Sequence, residues 1–469
     1  MRKTLTLLLI ALDLTAAAQT LAPQSEIYIT HVTVIDTERG KETTDQTVVI
    51  SDGKISDVAG SNHVAVPASA TTVDGKGKYL IPGLWDMHVH GTRFESTLPL
   101  YIANGVTGVR EMWGPPDANK FRAELAAKHL IAPHIYLGSP GVDGKPPIWP
   151  GISIEVTTSD EARRAVDEQK QRGADFIKVY SVLSRDAYFA VVDEARRQNI
   201  PVAGHVPNSV SIWEVTAARQ RSIEHSFGIE VGCSSREKEL RPKFLAAQRN
   251  RKEWEALCSE AWQSYSDQRC KNLFAELKKN GTWPVPTLVV HHAFGRLDDP
   301  QFTSDKRLRY FSGEFRNWMN GSLDPRMKDS ASDYAKMRTT FAAEERVTGQ
   351  LFRAGVPMLA GTDVGNAFCF PGFSLHDELA LLVESGVSPL GALQMATRNP
   401  ARFMGATDKY GSVTAGEIAD LVLLDADPLQ DIHNTTKISE VFLSSKEFNR
   451  AALNQLLKDA ENSDSRPSN

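Results

Sequence analysis

Cysteine is scarce in this chain. Its 469 residues include only Cys233, Cys258, Cys270 and Cys369, with no Cys-x-x-Cys pair. This excludes a zinc ribbon and a thioredoxin-type redox motif. Basic runs interleaved with aromatics are also missing and the net charge is -5, so there is no nucleic-acid surface. The apolar run Leu5 to Leu14 is broken by Asp13 and too short to span a bilayer. With 41% hydrophobic and 24% charged residues, the composition is that of an ordinary soluble protein. The length exceeds one ordinary core, so one large domain and a smaller one are expected.

The N-terminus reads as a secretory signal. Arg2 and Lys3 precede the apolar run, and Ala16-Ala17-Ala18 supplies small residues for cleavage. Residues 1–18 are therefore assigned to a signal peptide, with a frayed helix as the alternative. The mature chain is expected to start near Gln19, off the membrane, secreted or periplasmic. In such a compartment Cys258 and Cys270, both in a helical-looking insertion, are candidates for a bridge. Four cysteines allow three full pairings, buried free thiols are the alternative, and the sequence does not choose.

The hydrophobic rhythm changes along the chain. Glu26 to Val58 and Thr71 to Leu80 are rich in β-branched alternation, with Ser51-Asp52-Gly53-Lys54 as a hairpin turn. From Leu80 onward short apolar strands alternate with helices. The strands start near Leu80, Val106, His134, Phe176, Pro201, Ser222, Pro284 and Pro357; helices are read at Ser159 to Arg172 and Arg185 to Gln198. Eight such units predict an α/β fold of the (β/α)8 TIM-barrel type. Two long polar connections, Gly232 to Asn280 and Arg296 to Arg353, are expected to carry extra helices over its mouth. After helices at Ser374–Glu384 and Pro389–Met404, β character returns at Gly411-Ser-Val, Gly416 to Asp425 and Ile438 to Leu443. The expected organisation is a barrel over 81–404 and a small β-sandwich built from 19–80 and 405–469, with a frayed end from Ala460.

Leu80 to His90 ends in His88-Val89-His90. Residues two apart on a strand share a face, so both imidazoles can hold one divalent ion. Alone the pair is equally compatible with incidental histidines in a buried strand. The rest of the chain decides: Lys178, His205, His225 and Asp363 each fall at the C-terminal end of a predicted strand, the functional face of a β/α barrel.

Together, His88-Val-His90, Lys178, His205, His225 and Gly361-Thr-Asp363 resemble the binuclear metal subtype of the amidohydrolase superfamily. Ile81 to His90, Pro389 to Pro400 and Gly416 to Asp420 agree. The likeness covers nearly the whole chain after the signal and is nearest the imidazolonepropionase-like and Xaa-Pro dipeptidase-like branches. It implies two divalent ions, with zinc the default for mixed His and oxygen donors. One would sit on His88, His90 and Asp363, the other on His205 and His225. An anion must bridge two such cations, and a lysine ammonium has no acceptor. The resemblance implies that Lys178 is N6-carboxylated and supplies that bridge. It further implies a metal-bridging hydroxide as attacking group, with Asp363 as general base and then acid.

Secondary candidates are Tyr180 and, in preference to His291, His292 for contact with substrate. Arg110 and Trp113 are candidates for the pocket wall, and Asp86 for orienting a ligand histidine. His31, His63, His129, His134, His376 and His433 are read as non-catalytic. The leading expectation is hydrolysis of an amide or peptide C–N bond in a dipeptide or N-acyl amino acid. Alternatives are esters, lactones, phosphotriesters or cyclic imides on the same site, and a non-catalytic barrel that only binds. The lysine argues against a mononuclear deaminase. A small-molecule substrate is the expected partner, and a homo-oligomer is compatible with the family's habits.

Overall fold

The structure is a computed structural model that describes residues 26–311, 313 and 325–462. The signal reading over 1–18 and the last polar residues, 463–469, lie outside it. Strands β1 (Ile27–Asp36), β2 (Lys41–Ser51), β3 (Lys54–Gly60), β4 (Thr71–Asp74) and β5 (Tyr79–Pro82) open the chain. The middle carries β6 (Leu84–Val89), β7 (Val106–Glu111), β8 (His134–Leu137), β9 (Val142–Asp143), β10 (Ile154–Glu155), β11 (Ile177–Val179), β12 (Val202–Gly204), β13 (Ser222–Glu224) and β14 (Trp283–Val285). The end adds β15 (Leu421–Leu424), β16 (Ile438–Leu443) and β17 (Lys446–Asn449).

Both ends of the chain share one eight-stranded sheet, in the order β17-β16-β15-β5-β1-β2-β3, with β4 paired to β1. The join is the antiparallel pair β5–β15, where Leu80 faces Leu423 and Pro82 faces Leu421. Ile29, Val32, Val48, Leu80, Leu421 and Phe442 form its core. The ladder threads all eight described strands into a single sheet, and the expected sandwich of two sheets is not what it forms. β5 is the strand that joins the two halves, paired with β1 on one side and β15 on the other.

The middle strands are parallel and fall into two ladders, β6-β7-β8 and β10-β9-β11-β12-β13-β14. Irregular backbone spans the gaps. Gly138 bridges Phe176 in parallel, and Ser139 N–H donates to the Phe176 carbonyl at 2.9 Å. On the other edge Leu359 N–H reaches Pro284 O at 3.2 Å and Met87 N–H reaches Ala360 O at 2.9 Å. The predicted eighth strand is thus an extended segment hydrogen-bonded on both sides without a regular ladder. The seventh is shorter than expected. Its β-branched continuation, Leu288–Phe294, turns into a helix after Thr287 takes a left-handed conformation. Helices cover these strands, among them Ser159–Gln171, capped by Thr158 rather than Ser159, and Arg185–Arg197, capped by Ser184. Both bury an apolar stripe that includes Val166, Tyr188 and Val191.

The first long insertion carries helices Glu237–Ala247, Arg251–Gln263 and Asp267–Asn280, as its pattern implies. The disulfide joins Cys233 to Cys270, so the suggested Cys258–Cys270 bridge is corrected. Cys258 packs among Leu240, Phe244 and Ala261, whereas helix Asp267–Asn280 lies against Ile229–Cys233. Cys258 and Cys369 are buried free thiols. The predicted helix Pro389–Met404 is two helices, Pro389–Met395 and Arg398–Met404. A C-terminal helix absent from the sequence reading, Arg450–Glu461, is capped by Asn449, whose side chain accepts from Ala452 N–H at 3.0 Å.

His134 at the start of β8 lies 2.9 Å from Asp420, whose other carboxylate oxygen accepts from Ser444 N–H. Burial works against a charged imidazole there, but Asp420 outweighs it and raises the pKa. A raised folded-state value stabilises the fold fully below the ordinary imidazole range and loses that contribution as pH climbs through it. The stability difference between the native chain and His134→Gln is therefore expected to be largest near pH 5 and to shrink at alkaline pH, by urea unfolding across pH. The Cys233–Cys270 link closes a 37-residue separation. Replacing both cysteines by serine is expected to cost about 4 kcal/mol, seen as a lowered melting temperature in scanning calorimetry.

Candidate metal centre

The site is assembled where β6, β11, β12 and β13 end and the 357–363 segment turns. His88 and His90 leave β6 on one face, as their spacing dictates, and both reach the carboxylate of Asp363. Asp363 Oδ1 is 3.3 Å from His88 Nε2 and 3.1 Å from His90 Nε2, and Oδ2 is 3.8 Å from His225 Nδ1. Donor atoms of His88, His90 and Asp363 all lie within 4.8 Å of one another, a cluster that can hold a metal ion. The ring of His225 is 4.6 Å from that of His88 and 5.1 Å from that of His205. Lys178, fully buried, ends β11 close by, its Nζ 5.8 Å from the Tyr180 ring centre. All six metal-ligand candidates therefore come together.

Backbone geometry enforces this gathering. His225, Ser226, Thr287 and Asp363 all have φ between +51° and +59°, a region costly for non-glycine residues. Gly361 must be glycine: a Cβ there would meet the His88 backbone N at 2.8 Å. Gly204 admits the close approach of β12 to its parallel neighbour β11, since a Cβ would sit 2.2 Å from the Val179 carbonyl.

Each imidazole is held by a partner on Nδ1, which leaves Nε2 of each ring free of that partner. His88 Nδ1 bonds Glu224 at 2.8 Å, His205 Nδ1 bonds Ser181 at 2.8 Å, and His225 Nδ1 bonds Thr287 at 2.8 Å. His90 Nδ1 lies 3.5 Å from Glu111, which accepts from Thr92 N–H and O–H at 2.9 and 2.8 Å. Glu224 is itself held by buried Arg110, at 2.9 and 3.1 Å. Arg110 is thus a support of the ligand shell and not a pocket wall. Asp86 acts through backbone: it accepts from His88 N–H and Thr362 N–H at 3.3 and 3.0 Å, and burial lifts its pKa to about 7. Ring orientation, assigned to Asp86 by the sequence, belongs to Glu224.

The electrostatics suit cation ligands. Burial, then Lys178, keeps His205 far below the ordinary imidazole value; burial does the same for His225, with Asp363 partly offsetting it. Neutral imidazole is the form that donates to a metal. Burial would lower His90 too, but Asp363 and Glu111 outweigh it and hold the ring at about 9. Burial opposes ionisation of Asp363, yet His225 and His88 overcome it and keep the carboxyl well below its usual range. Burial lowers Lys178 to about 8. Two buried polar atoms here have no hydrogen bond among the described residues: Lys178 Nζ, and His88 Nε2, which approaches Asp363 Oδ1 only at 3.3 Å. A buried imidazole nitrogen left without a hydrogen bond, in a cage of imidazoles and a carboxylate, offers a lone pair that a bound cation would take, so these residues fit a metal centre.

A cavity of about 630 Å³ opens beside the cluster, lined by His90, Trp113, Lys178, Tyr180, His205, His225, His291 and Asp363. Tyr180 is where the sequence placed it, its hydroxyl accepting from Trp149 Nε1–H at 3.0 Å. The choice of His292 is corrected: it packs against Phe302 and Phe341, while His291, paired with Glu344 at 2.7 Å, faces the cavity. Leu288–Val290, read as the end of the seventh strand, instead opens the helix Leu288–Phe294 that carries both histidines. Glu111, Ser181 and Thr287 carried no signal in the sequence. Glu224 did, as an acid directly before a ligand histidine.

Residues 333–450 match the family model described as the Amidohydrolase family. Ochratoxinase of Aspergillus niger is 24% identical over 453 residues, covering 82% of this chain and 78% of that protein. Among solved structures, a bottromycin amidohydrolase superposes with a TM-score of 0.73 at 25% identity, over 92% of this chain and 90% of the other. A Xaa-Pro dipeptidase with bound methionine in its active site gives 0.64 at 19% identity, over 91% and 100%. The resemblance read from the metal-ligand pattern and these likenesses agree: residues 333–450 match the Amidohydrolase family, and a solved amidohydrolase superposes over most of the chain.

Proposed function

We propose that this protein is a metal-dependent hydrolase that cleaves an amide or peptide-type C–N bond in a small substrate, on a (β/α)8 barrel. The observation that carries the reading is the convergence of three histidines on the Asp363 carboxylate, beside buried Lys178, on the wall of one cavity. The amide preference comes from relatives named for amide and dipeptide hydrolysis.

His88, His90 and Asp363 would hold one divalent cation, His205 and His225 a second, with zinc the ion suited to these donors. Such ions, when bound, acidify water and polarise a carbonyl. The chain supplies the rest. Lys178, lowered to about 8 by burial, has a sizeable fraction of free amine near neutral pH. That neutral amine can add to carbon dioxide and release one proton, which gives a carbamate whose two oxygens would be available as metal ligands where the ammonium offers none. Asp363, ionised and central to the cluster, takes the proton of the attacking water at its carboxylate and returns it to the leaving nitrogen. Tyr180 stays protonated, because burial raises its pKa, and Trp149 already occupies an acceptor site on its oxygen. Its O–H is therefore available to a substrate oxygen. Export as a signal-bearing precursor fits the Cys233–Cys270 bridge, which belongs to an oxidising compartment.

Three outcomes are expected. Lys178→Ala should lose about one metal equivalent by plasma emission spectroscopy and at least about 100-fold in kcat; unchanged metal and rate would contradict the bridge. Glu224→Gln removes the anionic partner of His88 and of Arg110. It should weaken metal binding about 10- to 100-fold by chelator competition, with the fold retained by circular dichroism. A screen of dipeptides and N-acyl amino acids beside aryl esters and lactones should find turnover among the amides, abolished by chelator. Turnover confined to esters would contradict the amide reading.

A further inference from the structure

Behind the main cavity lies a second compartment of about 330 Å³. The two share Tyr180, His205, Phe227 and Arg326, so they adjoin at the metal cluster itself. The helical insertion builds the far side. Trp254 meets Phe227 edge-on at 5.2 Å and Phe244 at 5.8 Å, and Phe227 meets the rings of His205 and His225 at 5.0 and 5.1 Å. Val206, Val210 and Val231 extend this apolar lining. A continuous aromatic wall thus runs from the insertion to two ligand histidines.

Two acids interrupt the apolar lining: Glu237, which is half-buried and held by Trp213 and Arg269, and Glu230, which is the more deeply buried. Glu230 is only 6% exposed yet lines the compartment, and its one carboxylate oxygen accepts from Gly228 N–H at 3.1 Å. Nothing in the reaction chemistry uses it. Neighbouring cations are spoken for: Arg251 forks onto Asp329 at 2.8 Å, Arg241 lies 3.6 Å from Glu214, and Arg249 bonds the Pro146 carbonyl. Burial raises Glu230 to about 7, as for a carboxyl short of donors. A buried carboxyl with few donors costs stability, and a ligand's donor would offset that cost.

We propose that this compartment is a substrate subsite for a ring-sized apolar group bearing a hydrogen-bond donor, with Glu230 as the acceptor of that donor. The inference rests on the main cavity being the reaction chamber. The substrate then spans both compartments, with its scissile bond at the shared boundary of Tyr180 and His205. Apolar volume selects the ring, and Glu230 distinguishes a phenol-like or amine-bearing ring from a bare one.

Binding tests this separately from turnover, with each probe checked by chromatography for hydrolysis during the titration. N-acetyl-L-alaninamide, N-acetyl-L-phenylalaninamide and N-acetyl-L-tyrosinamide would be titrated calorimetrically into the metal-loaded protein. The phenyl probe should bind at least about tenfold tighter than the alanine probe. The tyrosine probe should gain about threefold or more over the phenyl probe. Phe244→Trp fills the chamber and should abolish the ring preference; Val231→Met fills it from the opposite helix should the first variant fold poorly. Glu230→Leu should erase only the tyrosine advantage. Equal binding of all three probes, or a ring preference that survives both filling variants, would overturn the proposal. A correct binding order with no amide hydrolysed in any screen would sink the catalytic reading and leave this subsite standing.

Discussion

The interaction on which the structure depends is the meeting of one carboxylate with three imidazoles in a buried place. Asp363 sits within 3.1 to 3.8 Å of His90, His88 and His225, and no water-exposed geometry would hold them so. Burying several ionisable groups together costs free energy unless each is answered. The chain answers most from behind: Arg110 neutralises Glu224, Glu224 fixes His88, Ser181 fixes His205 and Thr287 fixes His225. What it leaves without a hydrogen bond among the described residues, His88 Nε2 and Lys178 Nζ, is on the inside of the cage. The asymmetry between a satisfied outer shell and an orphaned inner one is the signature of a place for cations.

The scaffold accepts strain to make that place. Left-handed backbone at His225, Ser226, Thr287 and Asp363 costs on the order of 1 to 3 kcal/mol at each position. In exchange, the chain turns inward at the strand end instead of continuing along it. The core under the strands, from Val89 and Val109 to Ile177, Val191 and Ile223, supplies the rigidity that keeps those turns in place.

The ligand set was legible because of where its members fall. His88 and His90 obey the two-residue period of a strand, and His205 and His225 close short apolar runs that are strands or strand ends here. The common sheet of the two chain ends was legible from β-branched alternation at both. The features that escaped depend on tertiary context. Glu224 and His225 are adjacent, and on an ideal strand they would face opposite ways; the left-handed turn at His225 brings both to the site. Leu288-Val289-Val290 reads locally as the end of a strand, yet it opens the helix that carries both histidines, and the one at the cavity is His291. Cysteine pairing was set by how helix Asp267–Asn280 docks, which no spacing encodes. The two-sheet sandwich failed because alternation reports that strands have one buried face and says nothing of how many sheets share it.

The most direct test is a crystal structure of the metal-loaded protein, with anomalous diffraction recorded at the metal absorption edge. The account predicts two anomalous peaks about 3.5–4 Å apart. One should be bounded by His88, His90 and Asp363 and the other by His205 and His225, with density continuing beyond Lys178 Nζ to touch both. Peaks elsewhere in the molecule, or an empty cage with Lys178 ending as a bare amine, would contradict it.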